Sequence, residues 1–312
     1  MSAVMKNADE KSISAQSAGK KKISKNRLRF RLLITAIILL ISFSSLVGVT
    51  FAWYIYQTGA RTSDIHMAVG TGSSLQISNQ YDGEYGNSTV MDEFHGLLNP
   101  VSTDKILGGF QKATGFTGGS TGQPEIVANL FGVSDTTDYY KTTLYLRVAG
   151  DKQNIYLSNI GYEDDDPDNP ISTAIRIGFV VHKAGKDQPT EKEYIFAINM
   201  ADNPQSQYNT FTGKEGYVLD SSKTDGTTIP MDHLLTSDNF CKYDSETGTT
   251  TVNEKSVPLL KVEGAEDGGP GTPVQVDVYV WLEGCDKDCY NNICGKMLKK
   301  IALSFAGQSV EE

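Results

Sequence analysis

Hydrophobic and polar positions alternate with a period of two wherever this chain shows a regular pattern. In Pro273–Gly284 (PVQVDVYVWLEG), Val274, Val276, Val278, Val280 and Leu282 fall on one face, and Gln275, Asp277, Tyr279, Trp281 and Glu283 on the other. That is a half-buried strand, whose side chains alternate across a sheet; a helix would scatter the valines around its circumference. Ile175, Ile177, Phe179 and Val181 share a face in Thr173–Lys183, as do Leu144, Leu146 and Val148 in Thr143–Gly150. Weaker alternation predicts strands over Asn154–Tyr162, Glu193–Met200, Val257–Val262 and Lys299–Ala306, with Asp64–Val69 and Ser73–Ser78 as a first pair. The pattern gives about nine strands and no sustained helical period. Short helices are weakly signalled near Val90–Leu98 and Met231–Leu235.

Two long polar, Gly-rich stretches separate these strands: Asn79–Tyr140, containing GGFQKATGFTGGSTGQ (Gly108–Gln123), and Ala201–Glu254. Antiparallel strands, many turns and no helical crossovers point to an all-β sandwich with long decorated loops. The polar face of Pro273–Gly284 carries Tyr279 and Trp281, so a second layer, a loop or a subunit should cover it.

The N-terminus sets the compartment. Residues 1–31 carry nine basic side chains against Asp9 and Glu10, and no charged residue follows from Leu32 to Ala60. A basic flank before an apolar run stays in the cytoplasm and sends the remainder outward. The chain therefore divides into a basic leader (1–31), a signal-peptide or transmembrane segment (32–52) and an exported domain (53–312). As a signal peptide, the segment offers small residues at Thr50 and Ala52, flanking Phe51, with cleavage before Trp53. As an anchor, residues 32–56 are long enough to span a bilayer, with Trp53-Tyr54-Ile55-Tyr56 as an interfacial aromatic belt. Both readings stand; membrane contact is expected only through residues 32–56.

Removing the leader's +7 from the chain's −10 leaves −17 on the exported part. Such acidity argues against nucleic-acid or anionic-membrane binding and keeps an extracellular protein dispersed. No Pro-rich linker divides the exported part, so one domain is expected.

The four cysteines are Cys241, Cys285, Cys289 and Cys294, three of them in GCDKDCYNNICG after the strongest strand. Outside the cytoplasm an even count suggests disulfides, one inside the cluster and one to Cys241, with free thiols as the alternative. The spacings do not match the paired C-x2-C of structural zinc sites. The acidic run EDDDPDN (Glu163–Asn169) lacks the spacing of a calcium loop and reads as a solvated turn. His66, His95, His182 and His233 are scattered, with no HExxH, nucleophile elbow or P-loop. No catalytic, cofactor or metal residue is assigned, and the protein is expected not to be an enzyme.

The sequence GVTFAWYIY (residues 48–56) after a basic leader resembles the export signature of TasA- and camelysin-like proteins of Gram-positive bacteria. TAIRIGFVV (Thr173–Val181) and VYVWLEGCDKDCYN (Val278–Asn291) resemble strand segments of related clostridial surface proteins. The resemblance covers about the first 80 residues and the C-terminal third. It implies a jelly-roll-like sandwich, processing after Ala52 by a dedicated ER-type (SipW-dependent) signal peptidase, and secretion to the cell surface or biofilm matrix. It also implies fibres in which the N-terminal arm of one subunit adds a strand to the next, which makes residues 53–69 the candidate donor arm. Strand addition would pair such an arm's backbone, and head-to-tail donation generates filaments. The size of the chain and its cysteines depart from the family pattern. Camelysin's metalloprotease activity is not carried over, because no zinc-ligand motif is present.

The expectation is a non-enzymatic structural protein that self-associates. The runner-up is a type II membrane-anchored ectodomain binding a partner through its Gly-rich loops; an extracellular metal-dependent hydrolase comes third. The ending AGQSVEE carries no LPxTG-like sorting motif, and no lipobox cysteine lies near position 52.

Overall fold

In a computed structural model of the chain, residues 34, 61–70, 74–91, 98–112, 116–118, 124–126, 132–133, 138–183, 190–201, 217–220, 222, 228–265, 267–289, 293 and 296–310 are described. Residues 55–312 form one compact unit and residues 1–54 another. The cleavage residues Thr50, Phe51, Ala52 and Trp53 lie outside the described residues, as do Cys294 and the apolar segment 32–56 apart from Ile34. Among the described residues no helix is long and apolar enough to cross a membrane.

The described structure is mostly strand. Its first half holds β1 (Arg61–Val69), β2 (Leu75–Ser78), β3 (Ser88–Val90), β4 (Pro100–Ser102), β5 (Phe110–Lys112), β6 (Phe116–Gly118), β7 (Pro124–Ile126), β8 (Gly132–Val133), β9 (Tyr140–Val148) and β10 (Gln153–Asp164). The second half holds β11 (Ile175–Val181), β12 (Lys192–Ala197), β13 (Tyr217–Leu219), β14 (Thr228–Pro230), β15 (Lys242–Asp244), β16 (Thr249–Thr251), β17 (Pro258–Val262), β18 (Val274–Glu283) and β19 (Met297–Ser309). Residues 231–235 form a turn and a bridge rather than the weakly signalled helix, and a 3-10 turn follows at Ser237–Asn239.

Two sheets enclose the core. One has the order β17-β10-β19-β1-β3. In the other, β12-β11-β18 continues on to β9 and β2, and the end of β18 also leads to β4, β5 and β8. Most pairings are antiparallel, with β1–β19 and β18–β4 parallel. The apolar face read from the sequence is the face turned to this core, although β11 and most of β18 are buried on the other face as well. Val276, Val278 and Val280 of β18 and Ile175, Ile177 and Phe179 of β11 are fully buried, together with Ile301 and Phe305 of β19. These branched and aromatic side chains fill the pleated face that β propensity and burial both favour.

One feature departs from the sequence expectation and a second fills it in. The segments Asp64–Val69 and Ser73–Ser78 are strands but do not pair with each other: β1 joins β19 and β3, whereas β2 joins β9 in the opposite sheet. Hydrophobic period fixes which face of a strand is buried and says nothing of its neighbour. Second, the outer face of β18 and β11 carries its own core. Val101, Ile106, Phe110, Val218 and Met231, all from the two long Gly-rich stretches, pack over Trp281, Val180 and Ile195. Phe110 meets Tyr139 stacked at 4.3 Å and Trp281 edge-on at 5.2 Å. The expected cover over Trp281 is thus supplied by the chain's own loops. Gly178 makes room for it, since a Cβ there would lie 2.3 Å from Ile106 Cδ1 and 2.9 Å from Trp281.

Candidate functional site

The N-terminal strand β1 follows the export segment in sequence and occupies an inner position of its sheet. It runs parallel to β19 from Arg61↔Met297 to Val69↔Phe305, and its other edge meets the short β3 through His66↔Val90, Met67↔Thr89 and Ala68↔Ser88. Met67 and Val69 point into the core with 1% and 4% exposure, while His66 and Ala68 are half-buried on the other side. At the end of the strand the Val69 amide donates to Asn87 O at 2.8 Å and the Gly70 amide to Phe305 O at 3.0 Å. Residues 61–69 of the candidate donor arm are therefore seated in the chain's own sheet; residues 53–60 lie outside the described residues. Backbone pairing along one edge and alternate side chains in pockets are what strand addition requires.

The cysteine cluster closes the far end of β18. Glu283 ends that strand beside β4, where the Gly284 amide donates to Val101 O at 2.9 Å. The Glu283 carboxylate accepts from Trp281 Nε1 and from the Cys285 amide, both at 3.1 Å. Asp286 Oδ1 accepts from the Asp288 amide at 2.8 Å, and Asp286 Oδ2 meets Arg176 Nη2. Arg176 Nη1 donates in addition to the carbonyls of Thr173 and Ile175. All of these side chains are buried. Burial pushes the Glu283 carboxyl up to about 7 and raises Asp286 as well, against the pull of Arg176. Glu283 and Asp286, both facing the Arg176 guanidinium electrostatically, form a fold-closing network with Trp281, the Cys285 and Asp288 amides and Arg176 as its donors. The sequence held a signal for it: Arg176 interrupts an otherwise apolar strand, and an arginine there needs a buried anion.

Among the described cysteines no disulfide joins Cys241, Cys285 and Cys289 to one another, and all three are buried; Cys294, the remaining candidate partner, lies outside the described residues. The three belong to different packing clusters, Cys241 with Tyr156 and Ala306, Cys285 with Leu219, and Cys289 with the main core. Burial raises the Cys241 thiol to about 11 and pushes Cys285 up as well. Such thiols are poor nucleophiles at neutral pH.

In the acidic run, Asp164 accepts from the Ser172 amide and hydroxyl at 2.9 and 2.6 Å and caps the turn before β11. Asp166 pairs with Lys296, which holds its carboxyl below the usual range, and Glu163 meets Lys299 at 3.5 Å. Among the described residues no group of three or more His, Cys, Asp or Glu side chains is placed to hold a metal ion. His182 lies against Glu191 and Asp277 at 3.1 and 3.2 Å on an outward face, and His233 Nε2 contacts Asp104 O at 3.0 Å. His66 sits on β1, and His95 lies outside the described residues.

Comparison with known proteins returns no matching family model, no matching curated protein and no matching solved structure.

Proposed function

We propose that this chain is an exported, non-enzymatic structural protein of the cell surface or biofilm matrix that self-associates by exchanging its N-terminal strand. Export would release the chain before Trp53, leaving residues 53–60 as an arm continuous with β1, in a jelly-roll-like sandwich. The observation that carries the reading is the seat of β1: the strand nearest the export segment lies between β19 and β3, held by parallel pairing to the last strand of the chain. If β1 leaves, the Met297–Phe305 edge of β19 opens to the same segment of another copy. Repetition of that step is head-to-tail and does not close.

The test is intact mass and N-terminal sequencing of the native protein from medium and envelope fractions, followed by electron microscopy of the purified mature chain. A chain beginning at Trp53 that forms filaments supports the proposal. A chain retaining residues 1–52 in the membrane refutes secretion and leaves the type II anchored ectodomain, which the uncharged run through residues 32–56 favours.

A further inference from the structure

Immediately after β1, the chain passes beneath an aromatic ring. A Cβ at Gly70 would lie 2.4 Å from Tyr243 Cζ and 2.5 Å from Tyr243 Cε2, so the ring rests directly on the glycine backbone. Tyr243 belongs to the two-stranded hairpin β15–β16, which pairs through Lys242↔Thr251, Tyr243↔Thr250 and Asp244↔Thr249 and joins neither large sheet. The hairpin is tied down at its base, where the Cys241 amide donates to Leu157 O at 2.9 Å. Tyr243 and Val252 pack there on Cys241, Tyr156 and Ala306, on the outer face of β10 and β19. The hairpin thus crosses the point where β1 ends.

We propose that this hairpin is a latch, with the Tyr243 ring on Gly70 holding β1 in its own slot and setting how readily the strand leaves it. The inference rests on the strand-exchange reading above and supplies its regulation. Two observations make the latch releasable. A hairpin of three residue pairs is marginal without the surface it packs on. The Tyr243 hydroxyl is buried with no hydrogen-bond partner among the described residues, which works against the closed position. Opening would return that hydroxyl to water and uncover Gly70 together. Glycine at position 70 serves the close approach, because any side chain there meets the ring.

The two halves of Tyr243 make the latch testable in opposite directions. Tyr243→Ala removes the ring, while Tyr243→Phe keeps it and removes the unsatisfied hydroxyl. Amide hydrogen exchange on the monomer reads the outcome at Val69 and Gly70, whose N–H groups donate to Asn87 and Phe305. The expected result is exchange at these two amides faster by about tenfold or more in Tyr243→Ala and slower in Tyr243→Phe. The β10–β17 amides around Ile155 and Leu260 should be unchanged. Gly70→Ala, which displaces the ring without touching the hairpin, should match Tyr243→Ala. Equal acceleration at β1 and β10, or none at β1, overturns the latch. Selective acceleration at β1 without filaments under any condition supports the latch and sinks the assembly reading instead.

Discussion

Arg176 and Asp286, 110 residues apart in sequence, meet as a buried ion pair with 3% and 0% of their side chains exposed. Arg176 stands on β11 opposite Trp281, and Asp286 lies in the cysteine-bearing turn just past β18. The pair therefore binds the turn to the neighbouring strand, at a cost in desolvation that consumes much of its Coulombic attraction. Arg176→Met would leave Asp286 beside Glu283 and Asp288 with its counter-charge gone. The expected loss is roughly 3–5 kcal/mol in urea unfolding, with much of it recovered in the double variant Arg176→Met/Asp286→Leu. No recovery in the double variant would show that the pair sets the turn's geometry rather than merely neutralising a charge.

Glu283 gives stability a pH dependence of definite sign. Its carboxyl is raised by burial from 4.5 to about 7, so the folded protein binds a proton the unfolded chain has lost. Stability is full below pH 4.5 for this group, falls as pH rises toward 7, and is then level, by roughly 3 kcal/mol in all. Asp277 acts oppositely. Burial works to raise it, but hydrogen bonds from Lys141, Thr143, Gln275 and His182 hold it below the ordinary value, so its contribution is lost as pH falls through the acid range. Thermal unfolding should therefore show a stability maximum on the acid side of neutrality. Glu283→Gln should flatten the decline between pH 4.5 and 7; an unchanged slope would place it on other groups.

The buried thiols carry their own prediction. Cys241 and Cys285 should resist a thiol reagent in the native protein at pH 8 and react after denaturation, as peptide mass mapping would show. Reductant should leave the melting temperature unchanged. A drop of several degrees would reveal a stabilising disulfide in the isolated protein.

Which parts of this architecture were legible in the sequence follows from what each signal reports. The alternation of Val274–Leu282 and Ile175–Val181 marks strands with one continuous apolar face, and the core is built from those residues. The partnership of β1 with β19 joins segments more than 200 positions apart, and no local pattern encodes it. The outer core around Trp281 was foreshadowed by two aromatics on a polar face. Its cover came from Ile106 and Phe110 inside a Gly-rich stretch, where isolated apolar residues leave no period to read. The folding of Cys241, Cys285 and Cys289 into three separate clusters is a tertiary fact that no cysteine spacing reports. The latch on Gly70 was equally hidden, since one glycine among 30 carries no mark of the ring above it.

Gly178 offers a two-residue test of the outer core. Gly178→Ala should cost about 1–3 kcal/mol by overpacking, because its Cβ would overlap Ile106 Cδ1 and crowd Trp281. Ile106→Val removes the methyl group that collides. Combined with Gly178→Ala, it should cost less than the two single changes added together, read by chemical denaturation. Strict additivity would mean that Ile106 is not what excludes a side chain there.

Strand exchange can be trapped without deleting β1, which would strip Met67 and Val69 from the core. Ala68 and Ser88 face each other across β1 and β3. Because Val69 donates to Asn87 O one step along, the alternation of an antiparallel ladder makes Ala68↔Ser88 a non-hydrogen-bonded pair, whose Cβ atoms approach most closely. The double variant Ala68→Cys/Ser88→Cys should oxidise to an intramolecular bridge in a monomeric preparation and then remain monomeric, since the strand is fixed in its own slot. Assembled first and oxidised afterwards, the same variant should give a ladder of covalent oligomers on a non-reducing gel, collapsing to one band on reduction. In an exchanged filament β1 of one copy lies beside β3 of the next, so the bridge forms between chains. Filaments that yield only the monomer band would mean that β1 stays at home and that the copies join by another surface.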